Sequence, residues 1–271
     1  MNSLYRRLLF VTVAIILLTG FSKPAETTTI RDDWKRFYTN YKVDGSFVLY
    51  DQKNDKYLVC NEQQMNQQFT PASTFKICNS LIALTMGMIK DENEVFKWDG
   101  VERQLPAWNK DTDMRNAFKN STVWFYQELA RRTGPERMKT WLDKAHYGNA
   151  DIAGGIDAFW LSGNLRISPL QQIDFLRNLQ SDKLPFPQRS MNIVKDIMIV
   201  KDTLGYVIRA KTGWGKQNNR DIGWYVGYVT TKENVYYFSN CIQSVDKTDK
   251  FAEARTEIMY QILEDLKILK R

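Results

Sequence analysis

The apolar positions of this chain change rhythm twice. Ser46–Tyr50 and Lys56–Cys60 are apolar runs on either side of the polar Gln52-Lys53-Asn54-Asp55, a spacing that predicts a β-hairpin. Past Thr70-Pro71-Ala72 the pattern becomes helical. From Ser73 to Ile89 apolar side chains fall on all sides, which predicts a buried helix. Four more helices follow over Trp124–Arg132, Pro135–Ala145, Pro169–Gln180 and Gln188–Val200; the third has Ser168 as N-cap and proline at its first position. From Tyr206 the rhythm is strand-like again. Tyr206–Lys211, Ile222–Thr230 and Val235–Ile242 read as an antiparallel meander, and a last amphipathic helix carries Ala254, Ile258, Ile262 and Leu266 at helical spacing. Strands near both ends with helices between them predict an α/β fold. An antiparallel sheet flanked by helices is built from residues 23–72 and 197–271, and an all-helical domain over residues 73–196 is inserted into it.

Composition adds limits. With 43% hydrophobic and 25% charged residues in 271, the chain can bury a sizeable core. Arg6 and Arg7 precede an apolar stretch, Leu8–Leu18, followed by the small residues Gly20 and Ser22. This pattern predicts a signal peptide over residues 1–22, since the apolar run falls short of the ~20 residues a membrane span needs. The mature chain is then expected to be periplasmic or secreted, with no stable membrane association. The net charge of +7 suits anionic ligands or simple solubility. No arginine-rich run and no aromatic-basic interleaving points to nucleic acid. Three cysteines, Cys60, Cys78 and Cys241, are too few and too scattered for a disulfide scaffold or a zinc site, and they read as buried thiols.

A serine hydrolase normally takes its proton on histidine, and this chain has one, His146, with no nucleophile elbow near it. Another base is needed for acyl transfer. Lys76 is the only charged residue between Pro71 and Lys90, and it lies three positions after Ser73, hence on the same helical face. Burial would push its pKa down and leave a neutral amine, able to act as a base or to capture CO₂. The spacing alone is common. Ser244 and Lys247 repeat it, but in a polar segment rather than at the start of an apolar helix. Lys211-Thr212-Gly213, ending a strand and followed by Trp214-Gly215, offers a cation and a hydroxyl to a carboxylate, with glycine allowing close approach. Ser121-Thr122-Val123 adds a hydroxyl in the helical region, although Ser46-Phe47-Val48 has the same form.

In their order along the chain these motifs resemble the penicillin-recognising serine enzymes. Ser73-Thr74-Phe75-Lys76, Ser121-Thr122-Val123, Tyr147-Gly148-Asn149, Phe159-Trp160-Leu161 and Lys211-Thr212-Gly213-Trp214-Gly215 are similar to the motifs of class D, the oxacillinase-type serine β-lactamases. Val95-Phe96-Lys97-Trp98-Asp99-Gly100 and Arg255 extend the likeness. The resemblance implies a β-lactamase/transpeptidase-like fold and hydrolysis of small-molecule β-lactams through an acyl-enzyme on Ser73. It implies that Lys76 is N-carboxylated, using CO₂ or bicarbonate but no metal or cofactor, and acts as general base. Trp160 would donate to the carbamate, and Ser121 would pass a proton to the lactam nitrogen. The backbone N–H groups of Ser73 and Trp214 would form the oxyanion hole. Lys211, Thr212 and Arg255 would hold the substrate carboxylate, with Val123, Leu161 and Gly213 lining the pocket. Tyr147 is expected to be structural and His146 a bystander. A non-hydrolytic β-lactam sensor domain, which shares the Ser-Thr-x-Lys and Tyr-Gly-Asn motifs, and a penicillin-binding transpeptidase, which lacks the Ser-x-Val with Phe-Trp-Leu combination, are the alternatives.

Overall fold

A computed structural model describes residues 27–244 and 249–269; the expected signal segment lies outside the described residues. The chain opens with β1 (Thr27–Ile30), α1 (Lys35–Tyr41), and the hairpin β2 (Asp44–Asp51) and β3 (Lys56–Cys60). The helices α2 (Glu62–Met65), α3 (Lys76–Thr85), α4 (Met114–Lys119), α5 (Val123–Thr133), α6 (Pro135–Lys144), α7 (Pro169–Gln180) and α8 (Gln188–Ile197) follow. The strands β4 (Ile199–Asp202), β5 (Tyr206–Gln217), β6 (Arg220–Thr231) and β7 (Val235–Ser244), then α9 (Phe251–Asp265), complete the order.

The seven strands form one sheet in the order β1-β3-β2-β7-β6-β5-β4. It joins the two ends of the chain through β2 and β7, which pair from Asp44↔Gln243 to Asp51↔Tyr236. The expected antiparallel arrangement holds at every pair but the outermost, where β1 runs parallel to β3. Both faces are covered. Val48, Tyr50, Trp224 and Tyr237 face the helices inserted between β3 and β4. Phe47, Leu49, Tyr225 and Phe238, alternate neighbours on the same strands, pack with Trp34 of the N-terminal segment and Ile258 and Ile262 of α9. A sheet buried on two sides needs apolar residues at successive positions, which is why its strands read as continuous runs.

Three boundaries move from where the pattern puts them. The expected helix over 73–89 begins as a 3-10 turn at Ala72–Phe75, becomes α-helical at Lys76 and stops before Gly87, whose φ of 68° is a left-handed helix end. The helix expected to reach Val200 ends at Ile197, because β4 pairs with the open edge of β5. Lys211-Thr212-Gly213 does not end its strand. β5 continues to Gln217 and pairs with β6 through Gln217↔Arg220. Asn218 and Asn219, at φ 51° and 60°, close that hairpin with the two positive φ values a type I′ turn requires. The helix starts that carry caps match better: Ser168 accepts from Gln171 N while the Gln171 side chain reaches back, a full capping box.

Candidate active site

Ser73 sits on the 3-10 turn between the sheet and α3. The turn is tied on two sides. Ala72 N donates to Trp160 O at 3.0 Å, and Thr74 N donates to Pro71 O at 3.1 Å. Ala72 takes φ 48°, a left-handed conformation that a side-chain-bearing residue adopts at a cost. Strand β5 passes directly against this turn, which requires glycine. A Cβ at Gly213 would come within 3.0 Å of Pro71 O and 3.1 Å of Thr74 Cγ2, and one at Gly215 within 3.2 Å of Ala72 Cβ. The two glycines of the Lys-Thr-Gly-Trp-Gly segment therefore let a strand edge lie beside the serine.

Lys76 is completely buried, and its Nζ donates to Ser73 Oγ at 2.8 Å. Its pKa is held well below the ordinary lysine value, first by desolvation and second by the nearby cation Lys211. Burial therefore disfavours the charged form of the amine. The Tyr126 ring of α5 lies 5.2 Å from Nζ, and the Trp160 indole lies tilted at 5.3 Å from Phe75, one residue before the lysine. Trp160 Nε1 is buried with no hydrogen-bond partner among the described residues. An indole N–H in that condition is a donor waiting for an acceptor.

Lys211, 4% exposed, donates to Ser121 Oγ and to Thr212 O at 3.1 Å. Burial, with a smaller contribution from Arg255, brings its pKa down to about 7. Arg255 of α9 donates to Gly213 O at 3.0 Å and lies 5.3 Å over the Trp214 ring; burial lowers its pKa to about 10. Trp214 itself is 48% exposed, packed on Phe251 and bonded through Nε1 to Asp221 at 3.0 Å. Val123 and Leu161 are half-buried, the first at the start of α5 and the second accepting from Thr70 Oγ1 through its carbonyl.

The structure thus brings Ser73 to Lys76, Ser121 to Lys211, and Arg255 to Gly213 and Trp214. Tyr147 is buried against Phe75 and Phe175, while Asn149 bonds Arg166 N and Asn164 O, so the Tyr-Gly-Asn segment braces loops behind the turn. The competing serines separate clearly. Ser46 is inside the sheet, and Ser244 ends β7, with Lys247 outside the described residues. The sequence reading passed over Tyr126 and Phe118, whose rings approach Lys76 and Lys211 at 5.2 and 5.5 Å. No motif marks an aromatic face turned toward a lysine from another helix. Cys60, Cys78 and Cys241 are free and buried.

A serine beside a buried lysine, under a strand edge bearing lysine, threonine and glycine, defines the class of penicillin-recognising serine enzymes. The family profile of the penicillin-binding protein transpeptidase domain matches residues 45–264. β-Lactamase OXA-48 of Klebsiella pneumoniae is 42% identical over 235 residues, covering 86% of this chain and 89% of its own. The crystal structure of the class D β-lactamase YbXI from Nostoc superposes with a TM-score of 0.84 at 45% identity, covering 87% of this chain and 99% of that one. The C-terminal domain of the BlaR penicillin-receptor of Bacillus licheniformis superposes with a TM-score of 0.86 at 31% identity, covering 92% and 100%. The chain belongs to the penicillin-binding protein transpeptidase family and, within it, to the class D serine β-lactamases. Such an enzyme needs no metal or organic cofactor.

Proposed function

We propose that this β-lactamase opens the β-lactam ring through a covalent acyl-enzyme on Ser73, with N-carboxylated Lys76 as general base. One observation carries the reading: a fully buried lysine, its charged form disfavoured by desolvation, donates to Ser73 Oγ at 2.8 Å. A neutral amine can attack CO₂, forming an N–C bond and releasing a proton, and the resulting carbamate is a stronger acceptor for the serine proton than water. The unpartnered Trp160 Nε1 fits such a group as donor. The Ser73 and Trp214 N–H groups form the oxyanion hole, since β5 lies against the nucleophile turn at Gly213 and Gly215. Lys211, Thr212 and Arg255 hold the substrate carboxylate, with Val123, Leu161 and Gly213 lining the pocket. Ser121, already bonded to Lys211, returns the proton to the leaving nitrogen. We propose further that residues 1–22 are an export signal and that the mature enzyme works in the periplasm or outside the cell; no helix among the described residues is long and apolar enough to cross a membrane.

The test is steady-state hydrolysis of a chromogenic cephalosporin by the mature protein, with and without added bicarbonate. Many turnovers, their loss in Ser73→Ala, and a gain with bicarbonate at low pH are expected. The likeness to a penicillin-receptor domain keeps a sensor reading as the second possibility. One equivalent of product followed by arrest would favour the sensor over the hydrolase. Turnover unaffected by Lys76→Ala would remove Lys76 from its role.

A further inference from the structure

Behind the nucleophile turn lies a buried polar cluster that the chemistry above leaves unused. Thr74 Oγ1 donates to Pro71 O at 2.8 Å, a carbonyl that also receives Thr74 N. From α7, Gln172 Nε2 donates to Thr74 Oγ1 at 2.9 Å. Thr74, Gln172 and Tyr147 are all fully buried. Two polar atoms beside them lack a partner, Gln172 Oε1 and the Tyr147 hydroxyl. Tyr147 borders both Thr74 and Gln172.

The direction of these bonds is determined by proton count. A threonine hydroxyl has one hydrogen, and Thr74 commits it to Pro71 O. It can then only accept from Gln172, so the amide must turn its NH₂ toward Thr74 and its carbonyl oxygen away. The atom left over, Gln172 Oε1, is an acceptor.

We propose that Gln172 and Thr74 form one directed hydrogen-bond chain, Gln172 Nε2 to Thr74 Oγ1 and Thr74 Oγ1 to Pro71 O, that positions Ser73 for attack. The inference rests on Ser73 as the nucleophile. Both are positioning residues, since neither touches the substrate. Ser73 lies between Pro71 and Thr74, the two ends of the last link. Ala72, in its left-handed conformation, gives this turn a reason to relax unless it is held from outside. The anchor is firm: α7 starts with a capping box and Pro169, and the Tyr147 ring is wedged 5.5 Å from Phe75 and 5.0 Å from Phe175.

Gln172→Met keeps the side-chain length and deletes the amide bond to Thr74. Thr74→Val removes the central hydroxyl, and Thr74→Ser restores it. Two readouts are needed: acylation by a fluorescent penicillin followed by rapid quench, and hydrogen exchange of the peptide containing residues 70–76. At saturating penicillin, acylation falls about 5- to 10-fold in Gln172→Met and in Thr74→Val, while the half-saturating concentration stays within about twofold. Thr74→Ser stays near wild type, and exchange at the turn accelerates in the two slow variants. Thr74→Val adds little to Gln172→Met, as members of one chain must behave. Additive effects of those two changes, or unaltered exchange at the turn in Gln172→Met, overturns the chain. A wild-type protein that is never acylated refutes the role of Ser73 instead, and the exchange measurement still decides whether the turn is held this way.

Discussion

Replacing Lys211 by methionine removes a titrating group from the folding equilibrium, and the size of the effect follows from its burial. In the unfolded chain this amine has the ordinary value of 10.5, and in the fold it drops to about 7. Below pH 7 it is charged in both states and the native protein bears the whole cost of burying the charge, about 5 kcal/mol at ~1.4 kcal/mol per pH unit. Between 7 and 10.5 the unfolded state binds more protons than the native state, so stability rises with pH. Its contribution is complete above 10.5 and lost as pH falls to 7. From pH 7 to pH 9 wild type should gain about 2–2.5 kcal/mol relative to Lys211→Met, in which this dependence is gone. For a protein of this size that is about 4–10 °C in the difference between melting temperatures. The carboxylates titrate in both proteins and cancel to first order; losing the Lys211 charge also eases the depression of Lys76, which acts in the same direction, and the lost bonds to Ser121 and Thr212 contribute a nearly constant offset. The assay is thermal or urea denaturation of both proteins at pH 6, 7, 8 and 9. A gap that stays constant across that range would mean that Lys211 remains charged and would refute the reasoning.

Trp160→Phe keeps a ring packed against Phe75 and deletes the unpartnered Nε1–H; hydrolysis without added bicarbonate should fall about 10- to 100-fold and recover in part when bicarbonate is supplied. An unchanged bicarbonate response would separate Trp160 from Lys76. Gly213→Ala forces a Cβ against the Pro71 carbonyl and Thr74 and should cost about 1–3 kcal/mol by thermal melting, together with slower acylation; an unshifted melting temperature would contradict the close approach of β5. Arg255→Gln removes a half-buried cation beside Gly213 O and should raise KM for carboxylate-bearing β-lactams about tenfold with a smaller change in kcat. A KM that does not move would take Arg255 out of carboxylate binding.

Much of this protein could be read from local pattern. The hairpin 46–60, the capped helix at Ser168-Pro169, the meander and the last helix all depend on periodicity and caps that act within a few residues. The spacing of Ser73 and Lys76 at the start of an apolar helix already implied a lysine denied water, because nothing else on that helix carries charge. What pattern could not specify involves partners distant in the chain. The open edge of β5 turned Ile199 and Val200 from helix into strand, and pairing with β6 carried β5 six residues past Lys211. Only the packed fold set Gly213 against Pro71, the Tyr126 ring over Lys76, and Trp160 Nε1 in a place with no partner. Propensity and capping are short-range energies written residue by residue, whereas the reactivity of Ser73 comes from desolvation and close contact among segments up to 145 residues apart, as Thr70 and Gly215 are, which exist only once the sheet has closed on the helices.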